Sequence, residues 1–306
     1  MGKKCLFINN ISENCGIYQY GKRLHGILRK STRHYYGYVE VSSVEEYMET
    51  VKNLEHDCVI YNYSHAYFGW LTDDIIQKEK KNICIYHEFN LSCAFDLHLN
   101  TDSADIPTHE RWHTLPRPLF EDMKLVATHR EDSFPIIGSF GLALPQKGFE
   151  HIVKMVNREF DNATIRFHIP HSQFGDPDRK TLGDIIDRCV AVKRKPGIKL
   201  VITSHFLNDR DLLNFLNGND INVFMYDSMD SRGLSSVIDY ALSVDRPIGV
   251  SDSSVFRHIY DERVCMYQNS ISSLIKNGTS HLAHFRDLWS NKNLIEKVDR
   301  LIDENV

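Results

Sequence analysis

The sequence lacks any apolar run of the roughly 18 residues that cross a bilayer, and its opening, MGKKCLFINN, reads as a first strand and not as a signal peptide. We therefore expect a cytoplasmic protein. Long basic runs are also absent, and the net charge is −5 with histidine neutral. Because nucleic-acid binding requires clustered positive charge, nucleic acid is not an expected partner.

Cysteine pairing is a second missing feature. The seven cysteines are scattered along the chain, and none belongs to a CxxC pair. We interpret them as reduced, mostly buried thiols, which is not the pattern of a disulfide framework or a structural zinc site. His168, His171 and Asp176 lie close in sequence, but ordinary loop composition accounts for them, so no metal site is expected.

What the sequence does contain is a regular alternation of strand and helix patterns, which indicates parallel α/β sheets. A chain of 306 residues predicts about two domains. The expected fold class is therefore α/β with two Rossmann-like domains. We divide the chain into residues 1–125, residues 126–285 and a C-terminal helix at residues 286–306, which would pack back on the first domain.

The strand predictions rest on short β-branched and aromatic runs, and the helix predictions rest on apolar residues at helical spacing. Residues 90–120 carry neither pattern and are predicted to be irregular. The predicted strands cover residues 4–9, 58–63, 82–89, 134–141, 163–170, 198–204, 221–227 and 247–250. The predicted helices include residues 16–28, 44–54, 69–80, 147–160 and 209–218.

Histidines stand at the ends of two predicted strands: His65 after CVIYNYS, and His87 within IYHEF. Ligands of parallel α/β sheets lie at the carboxyl ends of the strands, so each histidine is a candidate ligand contact. A hydrogen-bonded residue at the sheet edge is the alternative for both. Gly16 opens the first helix, but a single glycine is not a GxGxxG fingerprint, so dinucleotide binding is not predicted.

The stretch VFMYDSMDSRGLSSVIDYALSVDRPIGV, residues 223–250, reads as a strand, a polar loop, an amphipathic helix and a second strand. This pattern would place the backbone amides of residues 233–236 at a helix N-terminus, beside Arg232. Free amides and the helix dipole favour a phosphate at such a position. An ordinary crossover with a capped helix is the alternative interpretation.

Two segments, IGSFGLALPQKGFEHIV and DSRGLSSVIDYALSVDRPIGVSD, resemble the C-terminal domain of GT-B glycosyltransferases, and most of all the group 1, or family 4, retaining enzymes. In the first segment, Gly141 matches the family's glycine turn and Lys147 the lysine at the start of the next helix. In the second, Gly233 and Leu234 match the Gly-Leu pair before a helix. The resemblance covers residues 125 to 260 and is coarse in the N-terminal half.

The resemblance implies a cleft between the two domains and a nucleotide diphospho-sugar donor held mainly by the second. The sugar would pass to a glycan or a lipid-linked acceptor, with retention of configuration, without a metal and without another cofactor. Lys147 and Arg232 would stabilise the leaving diphosphate, and His87 would contact the donor sugar or the reaction centre. The implied donor-binding residues are Gly16, Ile17, Phe140, Gly141, Lys147, Phe206, Arg232, Gly233, Leu234, Ser235, Ser236 and Asp239.

The chain departs from the family pattern at three positions. Arg232 and Tyr240 stand where the pattern has glutamates that contact the transferred sugar and the ribose, and Leu142 replaces an arginine that grips the diphosphate. Arg232 would restore the lost charge, because a guanidinium matches phosphate geometry. Asp239 lies one residue from the ribose position, and that shift turns a helical side chain by about 100°.

The first hypothesis is a transferase that builds a cell-surface glycan, a glycolipid or a related conjugate. Arg232 and Tyr240 keep a second hypothesis open, a non-catalytic GT-B subunit that binds a partner transferase or a glycan. No feature singles out a third, a sugar-nucleotide epimerase or phosphorylase.

Acceptor contacts are expected from the loop at residues 108–118. There Arg111 and Trp112 would grip or stack on a sugar, with a packed tryptophan as the alternative. A lipid-linked acceptor would add a peripheral membrane contact, although no basic amphipathic helix indicates one.

Overall fold

The structure of the chain is a computed structural model that describes residues 2–13, 15–87, 91, 93–102, 104, 109–126, 134–172, 176, 178, 180–228 and 233–306. The chain forms two compact units. Unit 1 comprises Met1–Pro118, Ser231–Leu234 and Leu288–Val306, and unit 2 comprises Leu119–Asp230 and Ser235–Asp287. The domain limits expected from the sequence stay predictions.

Unit 1 is built on a sheet of six parallel strands in the order β2-β1-β3-β4-β5-β6. These strands are β1 (Lys4–Asn9), β2 (Tyr35–Glu40), β3 (Cys58–Tyr63), β4 (Lys81–Tyr86), β5 (Leu97–Asn100) and β6 (Trp112–Thr114). The described helices of this unit are α1 (Gly16–Leu28), α2 (Val44–Asn53), the single turn α3 (His65–Phe68) and, at the end of the chain, α10 (Asn291–Asn305).

The core of unit 1 lies on both faces of this sheet. Strand β3, CVIYNY, is buried along its whole length, as a central strand covered by helices on both faces must be. On one face, helices α1 and α10 close an apolar cluster that includes Phe7, Leu24, Leu294 and Val298. The hydroxyl of Tyr36 also donates a buried hydrogen bond of 2.8 Å to Asp299 Oδ1, which ties β2 to α10.

Unit 2 is built on a sheet of five parallel strands in the order β11-β10-β7-β8-β9. These strands are β7 (Ile136–Phe140), β8 (Ala163–His168), β9 (Ile198–Thr203), β10 (Ile221–Phe224) and β11 (Ile248–Val250). The described helices are α4 (Phe149–Glu159), α5 (Lys180–Val192), α6 (Asp209–Asn217), α7 (Val237–Leu242), α8 (Ile271–Asn277) and α9 (Ala283–Leu288).

Helix α4 illustrates how the sequence covers the sheet of unit 2. Its apolar residues recur at spacings of three, one and three, which places them on one face of a helix. All are buried against the strands: Phe149, Ile152, Val153 and Val156.

The α/β fold class is confirmed, since each unit has a wholly parallel sheet with helices packed on it. The sequence patterns do not predict β2, β5 and β6. β2 lies at an edge and is only partly buried, so it lacks the continuous apolar run of a central strand. The β5 and β6 strands have four and three residues and fall in the segment predicted to be irregular.

The helix predicted at residues 69–80 is wrong, because that segment forms turns. Two of its polar side chains bond to distant residues: Asp73 accepts a hydrogen bond of 2.7 Å from the amide of Ala94, and Gln77 Oε1 lies 3.2 Å from His56 Nε2. Such tertiary bonds override a local helical spacing.

Within the described part of the chain, no helix combines the length and the apolar character needed to cross a membrane. All seven cysteines are free thiols, and every one except Cys15 is buried.

Candidate functional site

The carboxyl ends of three adjacent strands in unit 1 carry a chain of hydrogen-bonded polar side chains. Asn9 ends β1, Asn62 lies one residue before the end of β3, and His87 directly follows β4. The Asn62 amide nitrogen donates to Asn9 Oδ1 at 2.8 Å, and Asn62 Oδ1 lies 2.7 Å from His87 Nε2. The three side chains therefore form one continuous network at the sheet edge where ligands of parallel sheets bind.

Two backbone carbonyls determine which side-chain atoms of this network donate hydrogen bonds and which accept them. The side-chain nitrogen of Asn9 donates to the carbonyl oxygen of Tyr18 at 3.0 Å, and that of Asn62 donates to the carbonyl oxygen of Ile17 at 2.7 Å. A carbonyl oxygen only accepts, so each side-chain amide has a single compatible orientation. Asn62 Oδ1 therefore faces His87 as an acceptor, and His87 Nε2 carries the proton.

The network places a proton on Nε2 of His87, and the lowered pKa of the ring makes it a neutral imidazole with that tautomer. Burial and, secondarily, the positive charge of Arg117 lower the pKa of His87 to about 3, although the residue is only partly buried. The Tyr20 ring meets the imidazole edge to face, with centroids 4.9 Å apart. A neutral ring protonated on Nε2 presents Nδ1 as an acceptor, so His87 is suited to receive a hydrogen bond from a hydroxyl.

Four predicted donor-binding residues belong to unit 1. Gly16 is the exposed first residue of α1, and the carbonyl of the following Ile17 accepts the asparagine bond described above. A Cβ added to Gly233 would lie 2.6 Å from the carbonyl oxygen of His87. Leu234 follows and is half-buried. The structure thus brings Ile17 and Gly233 close to the His87 network.

In unit 2, a lysine and a tyrosine meet at the carboxyl ends of two adjacent strands. Lys147 ends a 3-10 turn, Pro145–Lys147, that follows β7, and Tyr226 lies two residues beyond β10. Lys147 Nζ lies 3.7 Å from the centroid of the Tyr226 ring, a cation–π contact. The Tyr226 hydroxyl donates to the carbonyl oxygen of Phe140 at 3.4 Å.

Gly141, directly after β7, permits this arrangement. A Cβ at this position would lie 2.9 Å from the Tyr226 hydroxyl and 3.6 Å from Lys147 Cδ. The predicted residues Phe140, Gly141 and Lys147 therefore form one group, which Tyr226 completes.

The backbone around this group is also fixed. Gly148 follows the 3-10 turn with a φ of 61°, a left-handed conformation that favours glycine. A Cβ at Gly148 would overlap the carbonyl oxygen of Met225 at 1.9 Å. The amide of Asp227 donates to the carbonyl oxygen of Gln146 at 3.0 Å. The turn after β7 is therefore joined to the segment after β10.

The helix that the sequence places from residue 233 begins later, at Val237, with Ser236 as its N-cap. The Ser235 amide donates to the carbonyl oxygen of Val255 at 3.0 Å. The expectation of a free helix-terminal amide at Ser235 is therefore wrong, because the loop pairs with the turn around Val255. Asp239 lies in the first turn of α7 and is 0% exposed, so its side chain has no surface for a ligand in this conformation.

The remaining predicted positions are scattered. Phe206 is 64% exposed in the loop between β9 and α6, where its ring is accessible. Tyr240 is buried, donates to Asp209 Oδ1 at 2.7 Å and packs against Phe140 with ring centroids 5.5 Å apart. Arg232 lies outside the described residues.

The other candidate histidines have structural partners. Nδ1 of His65 lies 3.4 Å from the Tyr63 hydroxyl, and Nδ1 of buried His168 lies 2.9 Å from Thr203 Oγ1. Burial and then the neighbouring His205 lower the pKa of His168 to about 4. Over the described residues, no group of three His, Cys, Asp or Glu side chains is placed to hold a metal ion.

Trp112 is held by packing. Its ring stacks on His98 with centroids 4.5 Å apart and an interplanar angle of 16°, and it meets Tyr86 edge to face at 5.1 Å. A packed Trp112 is the alternative to a sugar-stacking role that the sequence leaves open. The neighbouring Arg111 is exposed.

Sequence reasoning misses Asn9, Asn62 and Tyr226. Each lies in or directly after an apolar run, where it reads as part of a strand. A signal does exist for the asparagines, because a polar side chain near the end of a fully buried strand needs a hydrogen-bond partner.

No family model matches the sequence, and no curated protein matches it. Solved structures are similar over almost the whole chain. The Anabaena protein Alr3699/HepE in complex with UDP and glucose has a TM-score of 0.69 at 10% identity, over 99% of this chain and 100% of that one. It has also been solved in complex with UDP-glucose.

Two further similar structures are glycosyltransferases. AviGT4, which is involved in avilamycin A biosynthesis, has a TM-score of 0.62 at 12% identity, over 97% of this chain and 96% of that one. The glycosyltransferase from Rickettsia africae ESF-5 has a TM-score of 0.60 at 9% identity, over 99% of this chain and 94% of that one.

These likenesses and the two parallel sheets identify the fold: the chain has the GT-B fold of glycosyltransferases. At identities near 10%, the likeness shows the architecture. One fold can support different reactions, and the reaction depends on the chemistry of the site.

Proposed function

We propose that the chain is a glycosyltransferase that moves a sugar from a nucleotide diphospho-sugar to a glycan, a glycolipid or a related acceptor. The observation that carries the proposal is the position of Lys147. Its ammonium lies over the Tyr226 ring at the carboxyl end of β7, on a turn fixed by Gly148. This is the sheet edge at which α/β folds bind their ligands.

The chemistry of transfer requires a cation at the donor phosphates. When the bond between the sugar and the diphosphate breaks, negative charge develops on the departing diphosphate. A fixed ammonium stabilises that charge, and a side chain already in place needs no reorganisation at the moment of reaction. In the proposal, Lys147 has this role, with Arg232 as a second cation. Retention of configuration and metal-independent transfer complete the proposal on the strength of the family resemblance.

His87 receives the second role, that of a neutral acceptor for a hydroxyl of the donor sugar. Its Nε2 proton is committed to Asn62, and its low pKa keeps Nδ1 unprotonated. A neutral acceptor orients a sugar hydroxyl without adding a positive charge near the anomeric carbon, where positive charge develops in glycosyl transfer.

UDP-glucose is the first donor to test, because the structurally similar Anabaena protein was solved with UDP-glucose and with UDP and glucose. Both complexes are those of the Anabaena protein and not of this chain. The base and sugar used by this chain are determined by the experiment below.

The test is isothermal titration of UDP, GDP, ADP and CMP into the wild-type protein and Lys147→Ala. Hydrogen bonds to charged groups contribute about 1.5–3 kcal/mol, so loss of the ammonium is expected to weaken binding of the preferred diphosphate roughly 10- to 100-fold. Lys154→Ala is the matched control, because Lys154 is an exposed lysine on α4, which follows the same turn. Equal affinity in Lys147→Ala and wild type would refute the assignment of the phosphate site.

One observation favours the alternative of a non-catalytic GT-B subunit that binds a partner transferase or a glycan. Tyr240 stands where the family resemblance expects a ribose-binding glutamate, and its hydroxyl is engaged with Asp209. A chain without a ribose carboxylate would hold a nucleotide less tightly. Under this alternative, none of the four nucleotides binds at millimolar concentration, and a transferase copurifies with the chain.

A further inference from the structure

Tyr226 is a buried aromatic residue to which the proposed reaction gives no role. It is 2% exposed, and its ring packs against Phe256 with centroids 4.9 Å apart. The Tyr226 ring also contacts the ammonium of Lys147, whose Nζ lies 3.7 Å from the ring centroid. A buried phenol usually finds its place through packing and a hydrogen bond, and Tyr226 has both. The contact with the ammonium is an additional feature.

The backbones of both partners are fixed, so the contact constrains the ammonium. The Tyr226 carbonyl accepts a hydrogen bond of 2.6 Å from Ser251 Oγ. The next residue, Asp227, is bonded through its amide to Gln146, which directly precedes Lys147. With both chain segments tied together, the freedom that remains lies mainly in the lysine side chain. A ring under its ammonium limits that freedom.

An aromatic ring holds a cation in a way that a carboxylate does not. A carboxylate neutralises the ammonium and competes with an incoming phosphate for its three N–H groups. The ring carries no net charge, and its attraction is worth about 0.5–1 kcal/mol when exposed and about 2 kcal/mol when desolvated. The Tyr226 ring therefore restricts the position of the Lys147 ammonium without itself adding a charge of opposite sign.

We propose that Tyr226 is a positioning residue for the diphosphate site and holds the Lys147 ammonium in place for the donor phosphates. This inference rests on the proposed function, because it assumes that Lys147 binds a diphosphate. It predicts that Tyr226 affects binding through Lys147 and not through general packing of the sheet.

The test is a double-mutant cycle on UDP binding. Affinities are measured by isothermal titration, and those of weakly binding variants are measured by ligand-detected NMR. Tyr226→Leu is expected to weaken UDP binding about 3- to 30-fold, the equivalent of the cation–π attraction. In the Lys147→Ala background, the same substitution should have almost no further effect, because the residue it positions is gone. Tyr226→Phe keeps the ring and should restore affinity to within about 3-fold of wild type.

Phe167→Leu is the control for loss of packing, because Phe167 is a fully buried ring in the core of the same unit. It should lower the melting temperature without a selective loss of UDP affinity. An equal loss from Tyr226→Leu in both backgrounds would overturn the positioning role and leave the proposed function intact. Absence of UDP binding by the wild-type protein, with binding of no other nucleoside diphosphate, would overturn both.

Discussion

Replacing His87 by glutamine should make the protein less sensitive to acid. The wild-type ring is held neutral by its surroundings, with a pKa of about 3, whereas an unfolded chain has a histidine pKa of about 6.5. Glutamine does not titrate, and its side-chain amide can still donate to Asn62 Oδ1 in place of Nε2–H. The substitution therefore removes the titration while it keeps the hydrogen bond that closes the network.

The sign and size follow from proton linkage. Between pH 7 and pH 5 the unfolded chain gains a proton at His87 that the folded chain does not bind, so the free energy of unfolding falls as the pH falls. Each pH unit below the pKa of the unfolded chain lowers the free energy of unfolding by about 1.4 kcal/mol. Over the roughly 1.5 units between that pKa and pH 5, the full loss is about 2 kcal/mol. His87 is only partly buried, so screening by solvent reduces the expected loss to about 1 kcal/mol.

The assay is urea unfolding of wild type and His87→Gln at pH 7 and pH 5. The wild-type protein should lose about 1 kcal/mol more than the variant over this interval. His109→Gln serves as the control, because it removes an exposed histidine from the same unit. An identical pH dependence of wild type and His87→Gln would show that His87 protonates freely, and it would refute the neutral tautomer assigned to it.

Two further substitutions test the fold of the two units. Gly148→Ala should destabilise unit 2 by about 2–4 kcal/mol in chemical denaturation. Alanine at a left-handed φ is strained, and its Cβ would overlap the carbonyl oxygen of Met225. An unchanged denaturation midpoint would contradict the turn geometry. Tyr36→Phe should cost about 1.5–3 kcal/mol through loss of its bond to buried Asp299, whereas Tyr35→Phe, at a position 70% exposed, should change stability by less than about 0.5 kcal/mol.

The fold was predictable where burial is continuous. Strand β3 is buried at all six positions, and only Asn62 interrupts its run of apolar and aromatic residues, so the sequence indicates a buried strand. Strand β2 is partly exposed at the edge of the sheet, and its mixture of tyrosines and one glycine carries no such signal. Residues 69–80 have helical spacing, but the side chains of Asp73 and Gln77 bond to distant residues, and a local pattern contains no information about those bonds.

The candidate site was predictable where local chemistry is distinctive. Lys147, Gly148 and Gly141 could be located because a glycine turn and a Lys-Gly pair are recognisable in sequence. Tyr226 could not, since its contact with Lys147 joins two segments far apart in the chain. The direction of the His87 network was equally hidden, because it depends on the backbone carbonyls of Ile17 and Tyr18.

The measurement that tests the central claim most directly is release of UDP from UDP-glucose, and of the matching diphosphate from other sugar nucleotides, in the presence of glycan and lipid-linked acceptors. The account predicts turnover by wild type and by Lys154→Ala, and a loss of about 10-fold or more in kcat/KM for Lys147→Ala. A wild-type protein that binds a nucleoside diphosphate but turns over none of these donors would contradict it.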